Sequence, residues 1–364
     1  MMDVVREFRS KERVQQIVKL IKDIAPKEKV KIMHVCGTHE NSLAKYAIRD
    51  LLPPTVELIA GPGCPVCICP AKDIDEAIYL AKKENIILTT YGDMVRTPST
   101  EESLWDARSK GADVQVVYSI TDAIETAKNN PQKEVVFLSV GFETTTPGVA
   151  YEIYKEPPEN FSILSSHRII PPALDALLSS GEINIQAIIA PGHVSTIIGS
   201  NAFSIFPEKY KIPTAVVGFE PLDILLGIYM LLRDIRNEEA NIINEYTRIV
   251  KPEGNVKAQK IIYSVFDVVD GAWRGIGVIP KTGLELKKKY SQYNAREKFE
   301  IKLEKEPMDI MPGCSCNKIM LGQVYPDECP LFGTVCIPTH PVGPCMVSDE
   351  GTCKIWYKYN LTRK

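Results

Sequence analysis

Short, nearly continuous apolar runs punctuate the first 220 residues. Each is followed by a loop containing Gly or Pro and then by a stretch with helical periodicity. A first helix is predicted over Lys11–Ile24. The runs KVKIMHVC, TVELIAGPG, NIILTTYGD and DVQVVYS come next, and the helical ITDAIETAKNN closes this series near Asn130. A second series comprises EVVFLSVGFE, NFSILSSH, IQAIIAPGH and PTAVVGFE. Strands that are apolar on both faces and alternate with helices belong in parallel sheets covered on both sides. The pattern therefore predicts an α/β protein with two tandem parallel-sheet domains, residues 1–130 and 131–250. The stretch LDILLGIYMLLRDIRNEEANIINEYTRIV, from Leu222, predicts a long helix packed across both. Beyond Lys251 the periodicity weakens into charged, partly helical sequence, and from Pro307 the chain is loop-like and rich in Gly, Pro and Cys. Residues 251–364 are expected to form a small irregular C-terminal domain that needs a staple to hold together.

Composition narrows the function. Net charge is −3, which leaves no electrostatic footprint for nucleic acid or an anionic membrane. No apolar run reaches the length of a membrane span. The N-terminal MMDVVREFRSKERVQQ is charged and lacks the apolar core of a signal peptide. The expected location is the cytoplasm. In a reducing compartment ten cysteines point to metal or redox chemistry rather than a disulfide frame, although the Lys, Glu and Ile usage is that of thermophiles, which do keep intracellular disulfides.

The candidate chemistry sits where strands end. Cys36 stands before Gly37 and a helix beginning near Thr38; a helix N-terminus stabilises a thiolate, and His39 follows three residues on. A buried, inert thiol is the plain alternative. His34, inside an apolar run, reads as a core residue. Cys64-Pro-Val-Cys67 lies in AGPGCPVCICP, stiffened by three prolines; its spacing suits a reversible disulfide, two ligands of a soft metal, or half of a structural zinc knuckle. Cys69 points elsewhere if the loop is extended. GFETTTP places Glu143, Thr144 and Thr145 at a strand-to-helix junction, able to hold an anion or a partner's terminus; the plain alternative is a helix cap by Thr145 or Thr146. His193 in PGHVST is a possible ligand or proton carrier. No P-loop lysine follows these glycines. The tail carries Cys314, Cys316, Cys329, Cys336, Cys345 and Cys353. The last four are spaced seven, nine and eight apart, wider than zinc-finger pairs, which suits an iron–sulfur cluster. Disulfides or a structural zinc remain the alternatives.

The set CGTHE, GPGCPVC, GFETT, PGHVS and CPLFG…C…PVGPCMVSDEG…C resembles the HypD family of hydrogenase maturation factors, with the motifs in matching order from Cys36 to Cys353. The resemblance implies two α/β domains followed by a region carrying a [4Fe–4S] cluster. It implies a redox-active scaffold on which the Fe(CN)2CO unit of [NiFe]-hydrogenases is assembled. The implied partners are a HypC-type chaperone, whose N-terminal cysteine shares the iron, and a HypE-type donor that delivers cyanide from a C-terminal thiocyanate. On the matching positions Cys36 holds the Fe(II) being dressed, with His39 close by. Cys64 and Cys67 are the redox thiols. Cys329, Cys336, Cys345 and Cys353 hold the cluster, with Cys316 as a possible substitute for one of them. Two further readings share the cysteines. One is an iron–sulfur-dependent thiol–disulfide oxidoreductase acting on a partner protein; the other is a zinc-stapled scaffold without redox work.

Overall fold

The computed structural model describes residues 7–181 and 183–362. The opening MMDVVR of the N-terminal segment lies outside them. Eleven strands form among the described residues: β1 (Val30–His34), β2 (Val56–Ala60), β3 (Ile86–Thr90), β4 (Val114–Val116), β5 (Glu134–Gly141), β6 (Phe161–Arg168), β7 (Ala187–Pro191), β8 (Thr214–Val217), β9 (Ile242–Asn244), β10 (Phe266–Trp273) and β11 (Gly277–Leu286). They build two sheets. The first runs β2-β1-β7-β8-β9 and is wholly parallel. The second runs β10-β11-β6-β5-β3-β4; its β6-β5-β3-β4 part is parallel and the β10–β11 hairpin joins antiparallel. The expected α/β class with two parallel-dominated sheets is thus present, and the first helix occupies Lys11–Ile24.

The expected boundaries at 130/131 and 250/251 need correction. The chain leaves the first sheet after β2, lays down β3–β6 of the second, returns for β7–β9, and crosses again to add β10 and β11. Each sheet is therefore discontinuous in sequence. Apolar periodicity marks a strand but not its neighbours, so two successive series read as two successive domains. The helix from Leu222 also needs shortening. It spans Pro221–Arg236 and ends at Asn237, after which Glu238 takes a positive φ of 56° and Ile242–Asn244 becomes an edge strand. It packs on the Lys11–Ile24 helix and β8, covering the first sheet alone rather than bridging the two. The β10–β11 hairpin is invisible to an apolar-run reading because β10 exposes Asp267, Val268 and Asp270. Such half-solvated antiparallel strands alternate instead of running apolar.

Alternation within the buried strands sorts side chains into cores. In β1 and β7, Ile32, Ala187 and Ile189 face the helices outside the first sheet, whereas Met33, Ile188 and Ala190 face inward. In the second sheet Val135, Phe137 and Ile163 face out, and Val136, Leu138 and Leu164 face in. The inward sets share one core with Cys316, Ile319, Met320, Cys345 and Met346 of the tail. The tail is thereby fixed to the body of the molecule. Gly322 packs on Ile59 and Ala60, Tyr325 donates to Glu57 (2.8 Å), and Trp356 donates to Glu40 (2.7 Å). No helix of the described residues is long and apolar enough to cross a membrane.

Candidate functional site

In parallel α/β sheets, ligands gather outside the carboxyl ends of the strands where the direction of winding reverses. In the first sheet that reversal falls between β1 and β7, whose ends carry Cys36 and His193. In the second it falls between β3 and β5, whose ends carry Tyr91 and the Glu143–Thr145 loop. The Gly61–Pro70 loop, leaving β2, runs between the two. Its Pro65 and Val66 line an open groove of about 480 Å³ with Tyr91, Asp93, Tyr118 and Thr145. Its Cys64 and Cys67 line a separate, narrow cleft of about 10 Å³, together with Cys36, Glu40, Cys345 and Glu350. Residues more than three hundred positions apart thus meet at one point.

Cys36 is the N-cap of the Gly37–Lys45 helix and is 8% exposed. The N–H groups of His39 and Thr38 and the Thr38 hydroxyl favour its thiolate, as expected at a helix start. Burial and the nearby Glu350 carboxylate outweigh them and push the thiol up to about 11. The expected depression is therefore reversed, and a metal that binds this sulfur must displace its proton. His39 is buried and its Nε2 lies 2.9 Å from the Gly218 carbonyl and 3.2 Å from that of Val217. Carbonyls only accept, so Nε2 carries the proton. Burial lowers the imidazole to about 3, which keeps it neutral, and its Nδ1 has no partner among the described residues. That lone pair is free to bind a metal or accept a proton. Phe219 stacks on His39 at 4.7 Å and on the exposed His193 at 4.0 Å, which joins both histidines to one rim.

Cys64 and Cys67 form a disulfide, with Cα atoms 5.2 Å apart. The loop reaches Cys36 because Gly63 lacks a side chain: a Cβ there would stand 2.4 Å from the Cys36 nitrogen. Gly37 does the same for the tail, since a Cβ would stand 2.3 Å from the Glu350 carbonyl oxygen. Cys69 turns away, although the loop is turned rather than extended, with the Ile68 N–H on the Cys64 carbonyl (3.2 Å). It is fully buried, with its sulfur 3.4 Å from Ser166 of β6.

Of the four expected cluster cysteines, Cys345 and Cys353 interact directly through their thiols, and Cys316 interacts with both. Cys314 contacts Cys316, and Cys336 senses both of these sulfurs. The Val342 N–H donates to Cys336 Sγ (3.4 Å), and Gly343 gives the Cys314 and Cys316 sulfurs room. Cys329 Sγ lies 3.9 Å from the Gly313 carbonyl, one residue from Cys314. These contacts gather several soft thiol donors, the ligand type that a [4Fe–4S] cluster uses.

Other candidates divide. His34 is a core residue, as read: its Nε2 is 2.7 Å from Glu40. His167 is fully buried and satisfied by Ser139 (2.7 Å) and Thr146 (3.0 Å). Glu143 accepts from the Ile170 N–H (3.0 Å); its second oxygen has no partner among the described residues, and burial raises it to about 7. Thr144 is exposed, and Thr145, half-buried at the helix start, makes no side-chain cap. The sequence reading missed Glu40 and Glu350. Both stand inside quoted motifs, but their partners Arg49 and Thr38 come from separate turns of the chain.

These buried groups predict a pH profile. Burial holds His39 and His167 near 3 in the fold against 6.5 unfolded, so between these values the unfolded chain binds more protons and stability falls with acid. Burial raises Glu143 to about 7 and Glu245 to about 8, from 4.5, so between these values the fold holds the extra protons and stability rises with acid. The two pairs oppose each other between pH 4.5 and 6.5. Urea midpoints are expected to be nearly flat there, to drop steeply below 4.5, and to decline gently from 6.5 to 8. A continuous fall from 6.5 downward would show that the carboxyls do not titrate as described.

Known proteins similar to this chain point to one family. The HypD family model, described as the hydrogenase formation hypA family, matches residues 12–360. A putative hydrogenase expression/formation protein of Methanocaldococcus jannaschii is 48% identical over 352 residues, covering 96% of each chain. A HypD hydrogenase maturation factor of Bradyrhizobium diazoefficiens is 41% identical over 98% of this chain and 97% of its own. The HypD of Escherichia coli is 38% identical over 98% of both. With the family model and these relatives matched over nearly the whole length, this chain belongs to the HypD family and serves in hydrogenase formation.

Proposed function

We propose that the chain is a redox-active scaffold on which an Fe(II) ion receives cyanide, with the iron anchored at Cys36 and the two electrons supplied by Cys64 and Cys67. The observation that supports this best is the single narrow cleft lined by Cys36, Cys64, Cys67 and Cys345. Low-spin iron bearing CN⁻ and CO needs a soft thiolate and exclusion of water, and Cys36 lies in a buried cleft. Cyanide bound to sulfur as a thiocyanate leaves only on reduction. The two thiols become a disulfide, the donor regains a thiol, and one cyanide ion and one proton are released. The cyanide passes to iron, and the proton has an acceptor in His39 Nδ1. A Cys64–Cys67 disulfide such as the structure holds would be the product state of that step. An iron–sulfur cluster held by four of the tail cysteines, among them Cys345 and Cys353, would supply electrons one at a time. The donor is a HypE-type protein carrying the thiocyanate at its C-terminus, and a HypC-type chaperone provides a second thiolate to the iron.

Cys64→Ala and Cys67→Ala test this. Both are expected to keep iron and sulfide in the tail and to show no cyanide bands in the infrared spectrum of the chain purified with its partners. Normal cyanide loading in either variant would sink the proposal. Loss of all iron beyond the sulfide count in Cys36→Ala, with unchanged sulfide, is the matching result at the anchor.

A further inference from the structure

Arg274 lies in the turn between β10 and β11 and is 0% exposed. Its Nε donates to the Asp309 carbonyl (2.7 Å), and its backbone N–H donates to the Ile68 carbonyl (2.9 Å), between Cys67 and Cys69. Both terminal nitrogens, Nη1 and Nη2, have no hydrogen-bond partner among the described residues. No ion pair joins Arg274 to a carboxylate among those residues either. The nearby Asp309 carboxylate is engaged by the Ala71 and Gly275 N–H groups. A guanidinium is always charged, and burying it unpaired costs several kcal/mol. Something of opposite charge must therefore face it. The groups that feel its charge are sulfurs: Cys314, Cys345 and Cys69.

We propose that Arg274 is the buried counter-ion of the C-terminal sulfur site, donating through Nη1 and Nη2 to the anionic iron–sulfur cluster or its cysteine ligands. This rests on the cluster reading above and extends it. Four thiolates on a [4Fe–4S] core carry net negative charge, and reduction adds one more. A fixed cation beside the core favours the reduced form, so Arg274 sets the reduction potential. Its backbone contact with Ile68 places the same residue against the dithiol loop.

The test is a redox titration of the full chain, purified anaerobically, followed by the spectrum of the cluster. Arg274→Met removes the charge and keeps the length. Its reduction equilibrium is expected to shift at least tenfold toward the oxidised form, 59 mV for a one-electron couple. Arg274→Lys keeps the charge and is expected to recover most of that shift. An unchanged potential in Arg274→Met overturns the proposal. If Arg274→Met loses the cluster while Arg274→Lys holds it, the charge requirement stands. If both lose it with the fold intact by circular dichroism, the effect is not one of charge and the proposal fails. Wild-type chain without iron and sulfide would instead overturn the cluster reading itself, and an iron and sulfide count on the same samples separates the two failures.

Discussion

Replacing Gly63 with Ala is expected to abolish cyanide loading, by at least about a hundredfold, while leaving iron and sulfide in the tail unchanged. Gly63 does not have a positive φ, so its requirement is one of space. An added Cβ would stand 2.4 Å from the Cys36 nitrogen and the Val35 carbonyl carbon, and 2.7 Å from the Cys36 Cα. These are backbone atoms of a strand end and a helix start, which cannot rotate aside. The dithiol loop must retreat by about an ångström, and a misplacement of that size at a reacting centre costs on the order of a hundredfold. Gly148→Ala is the control. It sits in the Thr146–Tyr154 helix with nothing within 4 Å of its added Cβ, and is expected to be neutral or slightly stabilising. Infrared spectra of cyanide and CO ligands, with an iron and sulfide count on the same samples, decide the matter. Full loading in Gly63→Ala would mean that the close approach of loop and Cys36 is not needed.

The sequence makes some of this legible for a definite reason. A parallel strand buried on both faces is largely apolar, so β1–β8 are visible as runs, and the loops that end them as the places where ligands gather in such sheets. Pairing is not local, so the interleaving of the two sheets is hidden. The consequence reaches the site. Tandem domains would put Cys36 and the tail cysteines at a distance left open by a long linker. The observed crossing brings β7 beside β1, and with it His193 and Phe219 beside His39. The tail chemistry is only partly legible. Cysteine spacing announces a group of thiols but not which of the six come together, and Cys316 joins Cys345 and Cys353 through packing. Arg274 has no sequence signal at all, since a single arginine in a hairpin turn reads as a solvated residue.

Glu40→Ala is expected to be the most destabilising single change at the site, by about 3–5 kcal/mol. Glu40 is fully buried, accepts from Arg49 Nη2 and Trp356 Nε1, each at 2.7 Å, and lies 2.7 Å from His34 Nε2. Burial alone would raise its carboxyl, but Arg49 and His34 hold it well below the usual carboxylate range. Removing the anion leaves a largely buried guanidinium, an imidazole and an indole N–H without it, which is the costly way to break a buried network. Domains commonly have only about 5–15 kcal/mol in hand. The position matters as much as the energy. His34 precedes Cys36 by two residues, Glu40 lies in the helix that Cys36 caps, and Trp356 lies in the Thr352–Lys358 helix that carries Cys353. One carboxylate therefore ties the helix that Cys36 caps to the tail. Glu40→Gln keeps an acceptor for Trp356 but loses the charge and turns the oxygen that faces Arg49 and His34 into an NH2 donor, so a loss smaller than that of Glu40→Ala, about 1–3 kcal/mol, is expected. Denaturant midpoints of the reduced chain give the order: wild type, then Glu40→Gln, then Glu40→Ala. If Glu40→Ala matches the wild type, the tail is held by its sulfur site alone and the carboxylate network adds nothing to it.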